Sequence, residues 1–259
     1  MASLVAALPA AAQLSARADL SAGGRYVWHG ISRAGGLVAQ PSLAAGVRLS
    51  RFSVEGGAVL HYELDRVSVG ELSETGAGDG GLGEADFWGR ASLGVGPTRL
   101  HGGVVRYVFR GDASAGGLGP ARNTTEVYAA LSTTSSYANS SLEAWWDVER
   151  GRGAFLRASL DLPVLGWPFQ PFAFGFVQGD IGLNVGQGAN FAARGITHVG
   201  LGLGVEVRKG WATLAAGARS QLNLDDATRI DGVGRNRDFN AWLWTGITVL
   251  FGGDARSRR

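Results

Sequence analysis

The stretch RFSVEGGAVLHYELD, Arg51 to Asp65, alternates between two sets of side chains. The first set is apolar or small and comprises Phe52, Val54, Gly56, Ala58, Leu60, Tyr62 and Leu64; the second is mostly polar and comprises Ser53, Glu55, Gly57, Val59, His61, Glu63 and Asp65. A period of two predicts a β-strand, because successive side chains point to opposite faces. The run exceeds the ~5–6 residues of a typical soluble strand. It reaches the ~9–11 residues that a tilted strand needs to cross a bilayer.

Alternation of this kind recurs along the chain, whereas helical periodicity is hard to find. We count about twelve segments, an even number as expected for a closed bacterial barrel. Arg106 disrupts either choice of faces in the fifth segment, so we expect a bulge or a register error there. The segments lie at Leu14–Trp28, Ala39–Leu49, Phe52–Leu64, Glu84–Val95, Arg99–Phe109, Thr124–Thr133, Ser141–Val148, Ala154–Leu162, Gln170–Gln178, Ile196–Arg208, Trp211–Leu222 and Asn240–Phe251.

The connections between these segments alternate broadly between short and long. Tight turns are expected at Ser50-Arg51, Gly96-Pro97 and Lys209-Gly210, and long glycine- and charge-rich loops at Asp65–Gly83, Arg110–Asn123, Gly179–Gly195 and Asn223–Phe239. Outer-membrane barrels have short periplasmic turns and longer external loops. The sequence therefore predicts an all-β fold, a transmembrane antiparallel up-and-down β-barrel of about twelve strands, with both termini on the periplasmic side.

Composition restricts the other classes of protein. The chain has 259 residues, of which 42 are glycine, 18% are charged and none is cysteine, so structural disulfides and thiolate chemistry are excluded. The net charge of +2 comes without a basic run or stripe, which gives no support for a nucleic-acid partner. The least charged interior stretch, Leu162 to Gly179, contains three prolines and therefore does not predict a spanning helix.

The two ends of the chain lie outside the predicted barrel at residues 13–252. Residues 1–12 have an apolar run and small residues that suit a signal-peptide remnant, although an apolar first strand is the alternative. Residues 253–259 form a basic C-terminal tail. The alternating segment that ends at Phe251 resembles the signal that the barrel-assembly machinery recognises, with Gly246, Val249 and Phe251 as its key residues, although that Phe usually ends the chain.

The polar faces of the strands supply the candidate lumen residues. They are Glu55, His61, Glu63, Glu84, Asp86, Arg90, Glu126, Glu143, Asp147, Arg157, Glu206, Arg208, Arg219 and Gln221. In one interpretation these groups line a polar pore, and the electric field that they create across the pore selects the solutes. In the other they pair with each other and fill a narrow barrel. Aromatic residues at headgroup depth would form a girdle, for which we select Tyr26, Trp28, Tyr62, Phe87 and Trp211.

Catalytic and metal motifs are weak. His61 and Glu63 share a face, but no third ligand has convincing spacing, so we predict a titratable pair and no metal site. No Gly-x-Ser-x-Gly occurs, and no Ser–His–acid set can be assembled from the spacing, so no catalytic residues and no cofactor are predicted. The alternating glycines at Gly200–Gly204 are interpreted as a means of relieving crowding inside the barrel rather than as a nucleotide loop.

Three short segments resemble a known family. They are YVWHGIS at Tyr26–Ser32, EADFWG at Glu84–Gly89 and TEVYAAL at Thr125–Leu131. In order and spacing they are similar to segments of the TorF-type porin family of proteobacteria, also known as the Gcw_chp conserved hypothetical outer-membrane proteins. His29 stands where that family usually has Arg, and Val47 replaces a typical aromatic residue. The resemblance implies a location in the Gram-negative outer membrane more than a particular chemistry.

The prediction is an outer-membrane barrel that acts as a passive channel, or porin, for small polar solutes and is not an enzyme. Its expected partners are outer-membrane lipid and lipopolysaccharide, the barrel-assembly machinery and the solutes; the oligomeric state is left open. Three alternatives remain at this point: a barrel with a plugged lumen and a structural or adhesive role, an outer-membrane lipid hydrolase, and a soluble all-β binding protein.

Overall fold

The computed structural model describes residues 12–28, 31–34, 36–64, 81–109, 123–149, 153–164, 169–184, 192–224 and 239–252. Their regular structure is entirely β-strand. The strands are β1 Gln13–Gly23, β2 Tyr26–Trp28, β3 Ile31–Ala34, β4 Val38–Leu49, β5 Phe52–Glu63, β6 Gly81–Val95, β7 Thr98–Phe109, β8 Thr124–Thr134, β9 Asn139–Asp147, β10 Ala154–Pro163, β11 Gln170–Asn184, β12 Ala192–Lys209, β13 Ala212–Asn223 and β14 Phe239–Phe251. No helix in these ranges is long and apolar enough to cross a membrane.

The strands close into one antiparallel barrel of twelve strands, as predicted. β1 pairs with β4 on one side and with β14 on the other, and every other barrel strand pairs with its neighbours in sequence. β2 and β3 are not strands of this ring; they pair only with each other and form a small hairpin. Closure leaves no unpaired sheet edge, which is what a lipid environment requires because it offers the backbone no hydrogen-bond partners.

The outer surface of the barrel is apolar. Large hydrophobic side chains remain exposed on every barrel strand, and Leu14 and Leu243 are each 73% exposed. Leu20, Phe87 and Leu203 belong to the same outward set. A water-soluble protein rarely leaves so large a continuous apolar surface uncovered. This surface identifies the barrel as a membrane-spanning one and argues against the soluble binding protein.

The two ends of the barrel differ in the lengths of their connections. Two-residue turns join β4 to β5, β6 to β7 and β12 to β13, and Gly96 and Gly210 have positive φ there. At the opposite end, longer segments join β5 to β6, β7 to β8 and β13 to β14. We refer to the short-turn end as the inner end and to the long-loop end as the outer end, because barrels of the outer membrane place short turns in the periplasm.

The first strand and one loop differ from the sequence prediction. The predicted first strand, Leu14–Trp28, ends at Gly23, and Tyr26–Trp28 belongs to the separate hairpin. The predicted loop Gly179–Gly195 is shorter, because β11 and β12 continue through two register shifts and leave only residues 185–191 between them. The register shifts interrupt the alternation of side chains in this region. The strands predicted from that alternation are therefore shorter than those in the structure. Residues 1–11 and 253–259 lie outside the described part.

The pairing of β6, β7 and β8 around Arg106 is regular, so the expected bulge is wrong. Arg106 lies on the outward face, where its guanidinium donates to Thr125 Oγ1 at 2.8 Å and forms an ion pair with Glu149. This position is near the outer end of β7. Arginine is tolerated near a membrane interface because its head group reaches polar surroundings.

The barrel wall also contains glycines at which a side chain would collide with the neighbouring strand. A Cβ atom on Gly217 would overlap the backbone oxygen of Leu203 and approach the Cα of Gly204 to 2.8 Å. Backbone atoms cannot move aside as the end of a side chain can. On Gly89, by contrast, a Cβ would meet no atom within 4 Å.

We therefore expect Gly217→Ala to lower the free energy of unfolding by about 1–3 kcal/mol, the usual cost of overpacking. The matched variant Gly89→Ala should change it far less. Urea unfolding in lipid vesicles, followed by tryptophan fluorescence, measures both. Equal losses in the two variants would show that the close approach at Gly217 does not constrain the wall.

Candidate lumen site

The register places every predicted lumen residue on the inward face of the sheet, opposite the exposed apolar set. On β5 and β6, for example, Glu55 pairs with Arg90, and His61 pairs with Glu84. Half of the residues are buried near the outer end: His61, Glu63, Glu84, Asp86, Glu126, Asp147 and Gln221. The other half retain exposed surface in the remainder of the lumen: Glu55, Arg90, Glu143, Arg157, Glu206, Arg208 and Arg219.

Buried side chains form a belt around the outer end of the lumen. Apart from β1, every barrel strand contributes at least one residue that is no more than 8% exposed. This outer belt consists of Val38, His61, Glu63, Glu84, Asp86, Tyr107, Phe109, Thr124, Glu126, Asp147, Phe155, Gln178, Asp180, Thr197, His198, Gln221, Asn223 and Asn240. Most of these side chains are polar and buried polar groups need partners. Hydrogen bonds within the belt join Tyr107 to Glu126, Thr124 to Asp147, Gln178 to Asp180 and Gln221 to Asn223, so the belt is a packed layer around the outer end.

Tyr26 connects the β2–β3 hairpin to this belt. Its ring is 8% exposed and lies on the imidazole of His61, with 4.3 Å between the ring centroids. Its hydroxyl donates to Glu84 Oε1 at 3.0 Å. Tyr26 also packs in a small apolar cluster with Val38, Tyr107 and Phe109. The hairpin is thus fixed against the inside of the barrel at its outer end.

A chain of hydrogen bonds orients His61. Ser21 Oγ donates to Gln40 Oε1 at 3.3 Å, which leaves the Gln40 amide nitrogen to donate to His61 Nδ1 at 2.7 Å. His61 Nε2 lies 2.8 Å from Asp86 Oδ2. Because Nδ1 accepts, the network assigns the ring proton to Nε2, which donates to Asp86. The imidazole is held in one tautomer and one orientation beneath the Tyr26 ring.

His61, Glu84 and Asp86 also have the donor set of a cation site. Each offers one ligand atom, and these atoms lie within 4.8 Å of one another. The sequence missed this trio because Glu84 and Asp86 come from the neighbouring strand. Both nitrogens of His61 are engaged in hydrogen bonds, so a cation would have to replace the bond from Gln40 or the bond to Asp86. In the structure, Glu84 and His61 contact Tyr26 directly, and Asp86 holds the ring of His61 in place.

Between the outer belt and the inner end of the barrel, each group of polar contacts involves only a few residues on the same strand or on adjacent strands. Asp19 accepts hydrogen bonds from Arg17 on its own strand, from Ser42 on β4 and from Thr248 on β14. Glu55 and Arg90 form an ion pair in the inner half of β5 and β6, with exposed side-chain fractions of 27% and 34%. These partial exposures show that this part of the lumen wall is open to water.

The arrangement around His101 does not support the lipid hydrolase. Both imidazole nitrogens lie 2.8 Å from a hydroxyl, Nδ1 from Ser92 and Nε2 from Ser132. The hydrogen bonds of the described residues include none between His101 and a carboxylate, which a Ser–His–acid triad needs to orient its histidine. The group also faces the lumen rather than the lipid. It is a bridge across β6, β7 and β8.

Six side chains form a strip of aromatic rings and arginines along the wall from β10 to β14. They are Arg157, Phe172, Phe174, Phe176, Arg219 and Trp244, and we call them the aromatic–arginine strip. The three phenylalanines lie over the glycines of β12, because a Cβ on Gly200, Gly202 or Gly204 would overlap the ring of Phe176, Phe174 or Phe172, respectively. The alternating glycines thus make room for rings inside the barrel.

The predicted aromatic girdle was wrong for Tyr26, which lies inside the barrel. Tyr62 and Phe87 lie on the outward face, and Trp211 is 60% exposed in the inner turn between β12 and β13. The side chain of Trp28 lies outside the described part. The predicted assembly residues lie on the closing strand β14, with Val249 and Phe251 outward and Gly246 inward.

Comparisons with known proteins support the fold. No protein-family model matches the chain, and no curated protein sequence matches it significantly. The COG4313 outer membrane channel from Pseudomonas putida F1 aligns over 95% of this chain and 97% of that chain, with 12% identity and a TM-score of 0.50. LpxR from Salmonella typhimurium aligns over 92% and 100%, with 9% identity and a TM-score of 0.51. KdgM porin aligns over 92% and 99%, with 8% identity and a TM-score of 0.47.

At 12% and 9% identity, the likenesses to the COG4313 channel and to LpxR show a shared fold and do not extend the activity of either protein to this chain. Together with the closed ring of strands and the apolar outer surface, these two likenesses place the chain among the β-barrels of the outer membrane. The function must be inferred from the lumen itself.

Proposed function

We propose that the protein is a passive channel for small polar solutes, narrowed at its outer end by the belt and the Tyr26 hairpin. The observation that carries this proposal is the partial exposure of paired charges in the inner half of the wall, at Glu55 and Arg90. A barrel filled throughout by side chains would bury such a pair. Carboxylates and arginines on an accessible wall create the field by which a pore discriminates between ions.

The test of this proposal is conductance in planar bilayers. The purified barrel should give stepwise KCl currents. The outer belt favours one competing function, a sealed barrel with a structural role, because its polar groups are buried. A sealed lumen passes no current, so the absence of steps from a barrel that folds and inserts would support the structural role instead. The TorF-type family assignment remains part of the proposal, and it is consistent with a channel.

Removing Arg90 should change the ion selectivity of the channel. In Arg90→Gln the partly exposed carboxylate of Glu55 loses its cationic partner, so we expect the reversal potential in a KCl gradient to shift toward cation selectivity. Arg106→Gln is the matched control, because it removes the same charge from the outward face. Identical shifts in both variants would mean that the Glu55–Arg90 pair does not face the conduction path.

A further inference from the structure

The aromatic–arginine strip holds two guanidinium groups that form no ion pair with a carboxylate of the described residues. Arg219 lies over the rings of Phe174 and Trp244, at 5.2 and 4.6 Å from their centroids. No hydrogen bond or ion pair of the Arg219 side chain occurs among the described residues, and the side chain remains exposed to the lumen. Stacking on two rings satisfies the flat faces of the guanidinium. Its N–H groups, which lie in the plane of the group, stay available to a solute.

Arg157 repeats this arrangement nearer the outer belt. Its guanidinium lies 5.2 Å from the ring centroid of Phe176 and 5.6 Å from that of Phe155. It donates two hydrogen bonds to the side-chain oxygen of Gln178, a neutral acceptor, at 2.7 and 3.2 Å. No carboxylate of the described residues comes within ion-pair distance of it. Two arginines of the same kind thus lie along one wall.

Two other arginines of the lumen form ion pairs. Arg90 pairs with Glu55, and Arg208 pairs with Glu206 at 3.0 Å. Their charge is compensated by a direct ion pair. Arg219 has no such ion pair among the described residues; it interacts with the carboxylate of Asp161, which pairs with Phe174 across β10 and β11, only through the longer-range electrostatic attraction. Phe172 adds an apolar surface beside Trp244, with 6.2 Å between their ring centroids. The strip therefore combines an available cation with a flat apolar surface.

We infer that the strip is a binding site for solutes that carry a carboxylate and a flat apolar face, as sugar acids and aromatic acids do. The carboxylate accepts hydrogen bonds from the Arg219 guanidinium, which matches its two oxygens. The apolar face of the solute lies on Phe172 and Trp244. A row of rings allows such a solute to move along the wall without losing all its contacts at once. This inference rests on the proposed channel and names its substrate class.

The experiment is equilibrium dialysis of the folded barrel in detergent micelles, since binding can then be measured whether or not the channel conducts. The probes are labelled benzoate and glucuronate, with acetate and glucose as solutes that lack the ring or the charge. We expect saturable binding of benzoate and glucuronate, and much weaker binding of acetate and glucose. Binding of benzoate alone would restrict the class to aromatic acids, and binding of glucuronate alone would restrict it to sugar acids.

Two variants separate the strip from general lumen charge. Arg219→Gln should weaken binding about tenfold or more, the usual consequence of losing a charged hydrogen bond. Arg208→Gln removes the same charge from a paired arginine and should leave binding unchanged. Trp244→Leu should weaken the ring-bearing probes while the barrel still shifts on gels after heating. Equal effects of the two arginine variants, or no saturable binding to folded wild-type protein, would overturn the inference; a lack of KCl current would instead contradict the channel.

Discussion

Replacing Ala129 with arginine is expected to prevent most of the protein from assembling in lipid, whereas Ala130→Arg should assemble. Ala129 lies in the middle of β8 on the outward face, between Gly102 and Ala144 of the neighbouring strands. Arginine on the lipid face at the bilayer midplane costs about 2–4 kcal/mol. A barrel of marginal stability cannot absorb a loss of that size easily.

Ala130 is the matched control because it is the next residue on the same strand and has the same side chain. It points into the lumen, where Glu143 lies directly opposite it on β9. An arginine at this position therefore meets water and a carboxylate. The folded fraction after dilution from urea into vesicles is measured by the shift in gel migration between unheated and heated samples. Failure of both variants, or of Ala130→Arg alone, would show that the faces of β8 have been assigned incorrectly.

Replacing Tyr26 with alanine is expected to increase the single-channel conductance. The Tyr26 ring fills space at the outer end of the lumen and holds the β2–β3 hairpin against His61 and Glu84. Removing a buried aromatic ring costs about 3–5 kcal/mol. That loss is large enough to shift the hairpin strongly toward a detached arrangement. Ions should then pass the outer belt more freely.

Two controls make the Tyr26 prediction specific. Tyr26→Phe keeps the ring and removes the hydrogen bond to Glu84, so it should increase conductance less than Tyr26→Ala. Tyr62→Ala removes a tyrosine from the outward face of β5 and should leave conductance unchanged. Unchanged currents in Tyr26→Ala, measured with a folded barrel, would mean that the hairpin does not restrict the path.

The architecture could be predicted because its cause is local. Alternation in stretches such as Phe52–Glu63 depends only on which residues follow one another, and lipid on one face and water on the other require that alternation. The lengths of the connections then indicated the order of the strands. The same alternation predicts that Glu55, Arg90 and the other charged residues lie on one face of the sheet.

Tyr26, which was predicted to lie in the girdle, shows what the alternation of residues cannot predict. Tyr26 follows β1 without an interruption in its alternating pattern, so the sequence could not show that the chain leaves the barrel at Gly23. Its position depends on Glu84 and His61, which are remote in sequence. Contacts of this kind arise from packing across strands, and a period of two contains no information about them.

The strip was missed for a related reason. The sequence shows two alternating sets of residues, the phenylalanines Phe172, Phe174 and Phe176 and the glycines Gly200, Gly202 and Gly204. That each ring lies over one of these glycines follows from the register of β11 against β12, which the sequence pattern does not fix. Hydrophobic residues on a lumen face are also unexpected when the lumen is predicted to be polar.

The central claim is that the alternating residues of each strand separate lipid from water, and spin labelling along β8 tests it most directly. The chain has no cysteine, so single cysteines can be placed without removing any. The labelled positions are Val127, Tyr128, Ala129, Ala130, Leu131 and Ser132. We predict that in liposomes the odd-numbered positions are accessible to oxygen, which concentrates in lipid, and the even-numbered ones to a water-soluble nickel complex. A profile without a period of two, or with the two faces exchanged, would contradict the account.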